Sequence, residues 1–392
     1  MKEFCFFVLF VVAVPVPAMT QSSKMLSPSD FKGSSSCQEC HSEIYSQWKT
    51  SSMHSRAFQD PIYLAFLRKV SEKTQGRMDK FCTSCHAPLA SVTNTGPENI
   101  YKGFVQSRLA AESVSCEFCH TILGREVERK KLSLGAFLFP HLGQTRIIYG
   151  RHEDAKTDAH ETKVSKFLLS SELCGTCHRF SHPATGLSIQ DTYAEWKQGP
   201  YAAEGKRCQD CHMPSYSGKA ADKGPVRPEL HAHVFKGGHT EMIEKAATVG
   251  VRANWSDPSR KNRLSVNVVV TNSGAGHSIP TGIPGIREMW VEITVFSGNE
   301  AVAVERRPFG VKLLDAKKED SLPWDAVSIG KDTRIAPKQS REENIEFSLS
   351  NPSNVRVEAK VLERLVSEFA ARSVGIPASP ALLMAHASTS VP

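Results

Sequence analysis

The last third of the chain alternates apolar and polar residues with a period of two. Four runs show this pattern, at 264–271, 289–296, 345–349 and 355–359. Successive side chains of a β-strand point to opposite faces, so the alternation predicts strands that bury one face. Turn residues separate the runs. The pattern predicts an antiparallel β-sandwich of about seven short strands over residues 250–375.

Residues 37–249 have a different pattern. Helical periodicity predicts four helices, at 40–65, 161–173, 191–198 and 240–248. Pro61 is expected to break or kink the first of them, because proline cannot donate the helical hydrogen bond. Long loops with almost no sheet are expected between the helices. The prediction is therefore a mainly α N-terminal domain joined to a C-terminal β-sandwich.

The two ends of the chain predict an export signal and a frayed tail. Lys2 precedes an apolar run at 4–14, and the small-residue segment 16–18 follows it. A retained membrane anchor is the alternative, although the run is too short to span a bilayer. We predict a signal peptide at 1–18, a flexible segment at 19–36 and a flexible tail at 376–392. The mature chain is expected to have no transmembrane segment and to be periplasmic, at the cell surface or extracellular.

Ten of the eleven cysteines lie in five copies of the motif C-x-x-C-H. In c-type haem attachment, the two thiols add to the two vinyl groups of one porphyrin, and the adjacent histidine becomes the proximal iron ligand. The motifs therefore predict five covalently attached haem c groups. The predicted attachment residues are Cys37, Cys40, Cys82, Cys85, Cys116, Cys119, Cys174, Cys177, Cys208 and Cys211, and the predicted proximal ligands are His41, His86, His120, His178 and His212.

Zinc sites and disulfides are the alternatives for these cysteines. Zinc sites pair C-x-x-C units but do not demand a histidine after each one. A disulfide scaffold has no need of histidine at all. The histidine that follows every pair favours haem over both.

The charge and the spacing of the motifs agree with this interpretation. The formal net charge is +7 and the pI is near 8.8, but no basic run is interleaved with aromatic residues, so nucleic acid is not predicted as a partner. Five haems would add roughly −10 through their propionates, which the basic excess offsets. With about 42 residues per haem, the N-terminal domain is expected to use porphyrins in place of an ordinary apolar core.

Low-spin haems need a second axial ligand, commonly histidine or methionine. Ten histidines lie outside the motifs. We predict five of them as metal ligands: His54, His160, His233, His239 and His277. Met213 follows the fifth motif too closely to reach the opposite face of its haem, and it is expected to pack against a porphyrin.

Alternatives remain open for three of these candidates. His54 lies about 20 Å along a helix from His41, so it is expected to serve a neighbouring haem, with a surface position as the alternative. His231 competes with His233. His277 lies in the β-sandwich segment, where it either stabilises its loop, reaches a haem across the domain boundary, or reaches a haem of another subunit.

Several segments resemble the multihaem cytochromes related to the tetrahaem electron acceptor of hydroxylamine oxidoreductase. The first motif with Tyr45, Trp48, Ser51 and His54 is similar to the opening of those proteins. Further similar segments are 154–155 with His160, 170–178, 192–196, 208–214 and 233–239. The segment 276–282 with Arg287 resembles a β domain often appended to such cytochromes. Pentahaem nitrite reductases have Lys in place of one motif His, and all five motifs here end in His.

The resemblance and the motifs favour electron transfer through mostly bis-His haems, with redox proteins as partners. Enzymatic activity stays uncertain and is the less favoured interpretation. One alternative is an oxidoreductase acting on a small nitrogen or sulfur compound at a haem with an open axial position. Another is a subunit of a cytochrome filament, with self-association through the β domain.

Overall fold

The structure, a computed structural model, describes residues 26–103, 106–125, 137–139, 147–238 and 240–391. The predicted signal peptide and the candidate ligand His239 lie outside these residues, as does His141. None of the described helices is long and apolar enough to cross a membrane.

Helices occur mainly in the N-terminal half of the described chain. They are α1 (Ser35–Gln38), α2 (Ser42–Thr50), α3 (Ser52–Ser55), α4 (Pro61–Thr74), α5 (Asp79–His86), α6 (Pro88–Val92), α7 (Arg108–Ala111), α8 (Cys116–Thr121), α9 (Glu172–Gly175), α10 (Thr192–Gln198), α11 (Pro200–Ala203), α12 (Cys208–His212), α13 (Ile243–Ala246) and α14 (Glu368–Val374). Short 3₁₀ helices lie at Pro28–Asp30 and Ile100–Lys102.

Strands occur in both halves. They are β1 (Gly124–Arg125), β2 (Phe137–Leu138), β3 (Ile147–Gly150), β4 (Glu161–Val164), β5 (Phe180–Ser181), β6 (Ser188–Gln190), β7 (Ser215–Lys219), β8 (Val226–His231), β9 (Ala247–Trp255), β10 (Arg263–Asn272), β11 (Glu288–Ser297), β12 (Glu300–Phe309), β13 (Val311–Leu314), β14 (Ser328–Asp332), β15 (Ser340–Ser348), β16 (Val355–Arg364) and β17 (Leu382–Ser390).

The C-terminal half contains two antiparallel sheets, as the alternating pattern predicts. One has the order β15-β10-β9 and the other β12-β11-β16-β17. Their apolar faces share one core, in which Val268 of β10 and Ile293 of β11 are both 0% exposed. A hairpin, β13-β14, lies outside these sheets. The period of two fixes which side chains enter the core, because one face of each sheet is buried.

The predicted flexible tail is wrong for most of its length. Residues 382–390 form β17, which pairs with β16 in antiparallel register. Met384 is buried in the sandwich core. Composition alone suggested fraying, but the unpaired edge of β16 offers backbone partners that only the folded sheet reveals.

The predicted flexible segment 19–36 is also corrected where the structure describes it. Phe31 is 2% exposed, and the Gly33 amide donates to the Glu117 carboxylate at 2.6 Å. Both the backbone and the side chain of Ser34 donate to Glu112. This polar stretch is therefore held by distant acidic side chains, a contact that no local pattern predicts.

The N-terminal half contains more sheet than the sequence predicts. Among the described residues it has four two-stranded sheets: β1-β2, β3-β4, β5-β6 and β7-β8. The prediction of a mainly α N-terminal domain with almost no sheet is therefore wrong about the sheet, because this domain contains these small sheets as well as helices. The predicted helix at 161–173 is wrong, because 161–164 form a strand parallel to β3. The predicted helix at 240–248 shrinks to α13, and β9 starts at Ala247.

Two helix predictions agree better with the structure. The long helix predicted at 40–65 is divided into α2, α3 and the start of α4. Pro61 begins α4, with the Asp60 side chain accepting from the Ile62 amide at 2.9 Å. The helix predicted at 191–198 is α10, which begins one residue later, at Thr192.

The N-terminal half has an apolar core of its own, which the haem-only prediction did not include. Buried residues between 31 and 122 form one cluster, in which Leu89 and Ile122 are 0% exposed and against which Cys82 and Cys119 of the second and third motifs pack. A second cluster joins the two halves, where Phe66 of α4 packs with Val366 and with Ala370 of α14. The β-sandwich is thus packed directly against the motif-bearing half.

Replacing Ile293 by Ala is expected to lower the free energy of unfolding by about 2–5 kcal/mol, because it leaves a cavity between the two sheets. Denaturant unfolding of the full chain followed by far-UV circular dichroism measures the change. Val304→Ala is the matched control, since Val304 on the neighbouring β12 is 54% exposed. The control is expected to change stability by less than about 0.5 kcal/mol. Equal losses in the two variants would contradict the assignment of the buried face.

Candidate haem-binding site

All five C-x-x-C-H motifs line one continuous cavity of about 1500 Å³. Every motif cysteine and every motif histidine is part of its wall. The volume exceeds the roughly 300–1,000 Å³ of a usual small-molecule pocket. Cys40 and Cys211 are exposed, and the other eight motif cysteines are half-buried. The motifs, which span 37–212 in sequence, therefore share one site.

Short helices present the motif side chains to the cavity. Cys116 begins α8, where the Ser115 hydroxyl accepts from the Phe118 amide, and Cys208 begins α12. In a helical turn, positions i, i+3 and i+4 lie on one face. Both cysteines and the histidine of a motif are thereby directed to the same side, as attachment of one porphyrin requires.

The motif histidines are oriented by backbone carbonyls. Nδ1 of His120 lies 2.6 Å from the Tyr149 carbonyl oxygen, and Nδ1 of His41 lies 2.5 Å from that of Ala220. Nδ1 of His212 lies 2.5 Å from the Lys236 carbonyl oxygen. A carbonyl can only accept, so Nδ1 carries the proton and Nε2 has the free lone pair. Metal-bound histidines commonly have this arrangement.

The other two motif histidines also have partners. His86 makes a hydrogen bond with the Arg56 backbone. Nδ1 of His178 lies 3.0 Å from the side-chain amide of Gln190. The oxygen and nitrogen of a side-chain amide exchange places when the group is rotated by half a turn. In that orientation the amide oxygen of Gln190 accepts from Nδ1 of His178.

The small sheets of the N-terminal half supply several of these partners. Tyr149 lies on β3, Gln190 lies on β6, and Ala220 lies in the turn between β7 and β8. The strands that the sequence failed to predict therefore position the motif histidines. Sequence reasoning missed Tyr149 and Ala220 because a backbone carbonyl is present at every position, and it missed Gln190 because a single side-chain amide gives no local signal.

Two motif histidines each face a second imidazole. The ring centroids of His120 and His233 are 6.2 Å apart with 22° between their planes. Those of His212 and His277 are 6.3 Å apart with 15° between their planes. Metal–nitrogen bonds to imidazole are about 2.0–2.1 Å, so two imidazoles on opposite sides of one metal ion have centroids about 6 Å apart. Both pairs fit this spacing.

Burial keeps these rings neutral. It lowers the pKa of His86, His178 and His277 to about 4, and that of His233 to about 3. It also lowers the pKa of His120. A histidine must be neutral to bind a metal, so these rings are in the required protonation state at neutral pH.

His54 does not reach the large cavity. It is 3% exposed and faces a separate pocket of about 240 Å³. Its Nε2 lies 3.1 Å from the Gln59 amide nitrogen, and its ring centroid is 4.4 Å from that of Trp48. Neighbouring helical residues point about 100° apart, and Met53 is the one that lines the cavity. His54 is therefore not a surface residue, and it does not line the cavity that the motif histidines line.

The remaining candidate histidines lie in different surroundings. His160 lines the cavity, with Nδ1 3.3 Å from the Glu161 carbonyl oxygen. His231 and His152 also line it, and each has a buried Nε2 without a hydrogen-bond partner in the protein. His231 Nδ1 donates to the Met213 carbonyl oxygen at 2.8 Å. Sequence reasoning left His152 out, because nothing local separates it from an ordinary histidine.

Thiols of different motifs are in contact. Cys37 lies beside Cys116, which brings the first motif next to the third. Cys85 lies beside Cys177, and Cys174 lies beside Cys208. These two contacts join the fourth motif to the second and to the fifth. Disulfides could also use such contacts, but they would not explain the orientation of the histidines.

Comparisons with known proteins agree with this geometry. Residues 36–121, which hold the first three motifs, match the family described as cytochrome c554 and c-prime. No curated protein matches the sequence. The fold is similar to that of a penta-haem cytochrome c552 from Thermochromatium tepidum, with 21% identity, a TM-score of 0.67, and coverage of 93% of this chain and 99% of that one. A structural-genomics target with 9% identity covers 38% of this chain and 89% of that one, and its TM-score of 0.20 supports no argument.

The family match covers the first three C-x-x-C-H motifs, and the structural likeness, at 21% identity, shows a shared fold. The penta-haem description is that of the similar structure, and the corresponding feature of this chain is its five C-x-x-C-H haem-attachment motifs. The residues of this chain fit that cofactor, because each motif offers two thiols and one oriented imidazole to the same cavity. Arg151 adds a buried Nη1 without a partner in the protein, on a side chain that lines the cavity. A haem propionate is a suitable partner for such a guanidinium.

Proposed function

We propose that this chain is an exported pentahaem c-type cytochrome whose function is electron transfer. The observation that carries the proposal is the single cavity into which all five C-x-x-C-H motifs face. When bound, haem supplies an iron centre that can gain and lose one electron. Redox proteins are the proposed partners.

In this proposal the ten motif cysteines hold the porphyrins covalently, and the five motif histidines are the proximal ligands. His233 would hold one haem together with His120, and His277 would hold another together with His212. The ring spacings of 6.2 and 6.3 Å support these two assignments. His160 and His239 remain proposed ligands on sequence grounds.

Electron transfer is favoured over catalysis by the way the motifs adjoin one another. The thiol contacts link the first motif to the third, and the second and fifth to the fourth. Cys119 of the third motif also lies near Cys177 of the fourth. All five attachment sites are therefore connected, and the fourth adjoins the second, the third and the fifth. Connected attachment sites suit passage of electrons through the protein, whereas catalysis at one haem does not require them.

The purified protein is expected to contain five covalent haems per chain and to give low-spin ferric signals. The pyridine haemochrome assay and intact mass measure the haem number, and electron paramagnetic resonance measures the spin state. Fewer than five covalent haems would contradict the pentahaem proposal. A high-spin signal that shifts on adding nitrite or hydroxylamine would instead favour an oxidoreductase with one open axial position.

Three further points belong to the proposal. Export to the periplasm or the cell surface rests on the signal-like segment 1–18. The relation to the tetrahaem electron acceptor of hydroxylamine oxidoreductase rests on the motif segments it shares with that group. Self-association, including a filament, stays an alternative assembly state, and size-exclusion chromatography with light scattering distinguishes it from a monomer.

A further inference from the structure

The loop that carries His277 is held by both halves of the protein. We call residues 273–282 the His277 loop. On the sandwich side, the Asn272 side-chain amide donates to the carbonyl oxygens of His277 at 2.8 Å and Ile335 at 3.0 Å. Ile279 exchanges backbone hydrogen bonds with Ile335. These contacts hold the base of the loop and the His277 carbonyl, and Nδ1 of His277 lies 3.0 Å from the Ser278 carbonyl oxygen.

On the motif-bearing side, Glu195 of α10 holds the tip of the loop. Its Oε2 accepts from the Ser278 amide at 3.1 Å and from the Thr281 hydroxyl at 3.3 Å. The Thr281 hydroxyl also lies 2.7 Å from that of Thr192. Ser278 follows His277 directly, so the Glu195 contact acts one residue from the imidazole. The backbone there has little freedom to turn the ring away from His212.

Glu195 is also part of a buried ion pair across the two halves. Its Oε1 pairs with Arg334, which binds Asp332 as well, at 2.8 Å. The Glu195 side chain is only 11% exposed. Burial raises the pKa of Glu195, against the opposing effect of the Arg334 guanidinium. A buried carboxylate with three protein donors restricts geometry more than a surface ion pair does, because its position is determined by all of its partners.

We infer that Glu195 is a positioning residue, through which the motif-bearing half holds His277 opposite His212. This inference rests on the proposed role of His277 as an axial ligand. Glu195 itself is not an iron ligand in this account. Glu195 therefore couples the packing of the β-sandwich against the motif-bearing half to the placement of His277 at the fifth motif.

A simpler role for Glu195 would be domain docking alone, and the chain offers a matched comparison. Glu204 of the same half pairs with Lys338 of the sandwich. This second pair is 45% and 47% exposed and makes no contact with the His277 loop among its described hydrogen bonds. A loss of docking contacts would affect both variants, whereas a loss of ring positioning would affect only Glu195.

The test uses carbon monoxide binding to the reduced holoprotein, because carbon monoxide binds ferrous haem where an axial ligand is missing. His277→Ala is expected to bind carbon monoxide at about one-fifth of the haem iron, and this amount is the reference for complete loss of the ligand. Glu195→Ala is expected to give a signal between those of the wild type and His277→Ala. Glu195→Gln is expected to give a smaller one, because its amide oxygen still accepts from Ser278. Glu204→Ala is expected to match the wild type.

The possible results distinguish a failure of the positioning role of Glu195 from a failure of the proposed ligation by His277. If His277→Ala binds no carbon monoxide, the proposed ligation by His277 is wrong. If His277→Ala binds it but Glu195→Ala does not, only the positioning role is wrong. Should Glu195→Ala fail to load haem, Thr281→Val removes the hydroxyl contacts to Glu195 and Thr192 without stranding a buried charge. A wild-type carbon monoxide spectrum for Thr281→Val would then overturn the inference.

Discussion

Serine at both cysteines of the fourth motif, Cys174→Ser with Cys177→Ser, is expected to produce a chain with one covalent haem fewer and much lower thermal stability. The fourth motif is in contact with the second and the fifth through Cys85 and Cys208. Its loss removes the attachment site around which the others meet. We expect the midpoint of thermal unfolding to fall by about 10 °C or more, since a bound cofactor stabilises only the folded state.

The matched control is the same change in the first motif, Cys37→Ser with Cys40→Ser. Cys40 is exposed, and the described thiol contact of this motif is with Cys116 of the third. Both double variants are expected to lose one haem by the pyridine haemochrome assay and by intact mass. The first-motif variant is expected to lose less thermal stability. Equal losses of stability would contradict the central position of the fourth motif, and an unchanged haem number would contradict haem attachment there.

Replacing His277 by Ala is expected to convert one haem from low spin to high spin. His277 is buried and its ring lies parallel to that of His212, with centroids 6.3 Å apart. Alanine leaves no nitrogen within reach of that position. Electron paramagnetic resonance of the ferric protein should then show a high-spin signal from about one-fifth of the iron, with the haem number unchanged.

His386→Ala is the control, because His386 lies on β17 of the same sandwich, paired with Lys360 of β16. It is expected to give the wild-type spectrum. An unchanged spectrum for His277→Ala would favour the loop-stabilising role of this histidine instead. A high-spin signal that also depends on protein concentration would favour the third interpretation, in which the histidine reaches a haem of another subunit.

Parts of the fold could be predicted because they follow from local chemistry. Alternation predicted the two antiparallel sheets, since a sheet that buries one face must repeat every second residue. The helix break at Pro61 and the bounds of α10 were also predicted to within one residue. The strand at 161–164 was not predicted, because a four-residue parallel pairing with β3 depends on a partner that lies elsewhere in the chain.

The C-terminal tail and the segment near Phe31 were also predicted wrongly, because their order depends on partners elsewhere in the chain. Both are polar or small-residue stretches that composition assigns to disorder. In the fold, β16 offers 382–390 an open edge, and Glu117 and Glu112 offer acceptors to Gly33 and Ser34. A segment is ordered when a partner is available, and the partner is a tertiary property.

The sequence alone determined which residues can attach haem, because thioether formation needs two thiols and a histidine at fixed local spacing. It also predicted several covalent haems for this half of the chain. Only the tertiary structure decided which histidines face the motif histidines. His54 satisfies every local criterion but turns into a side pocket, whereas His277 enters from the other domain. The proposed axial ligation joins residues that are distant in sequence, so it depends on the packing of the β-sandwich against α10 and not on any spacing along the chain.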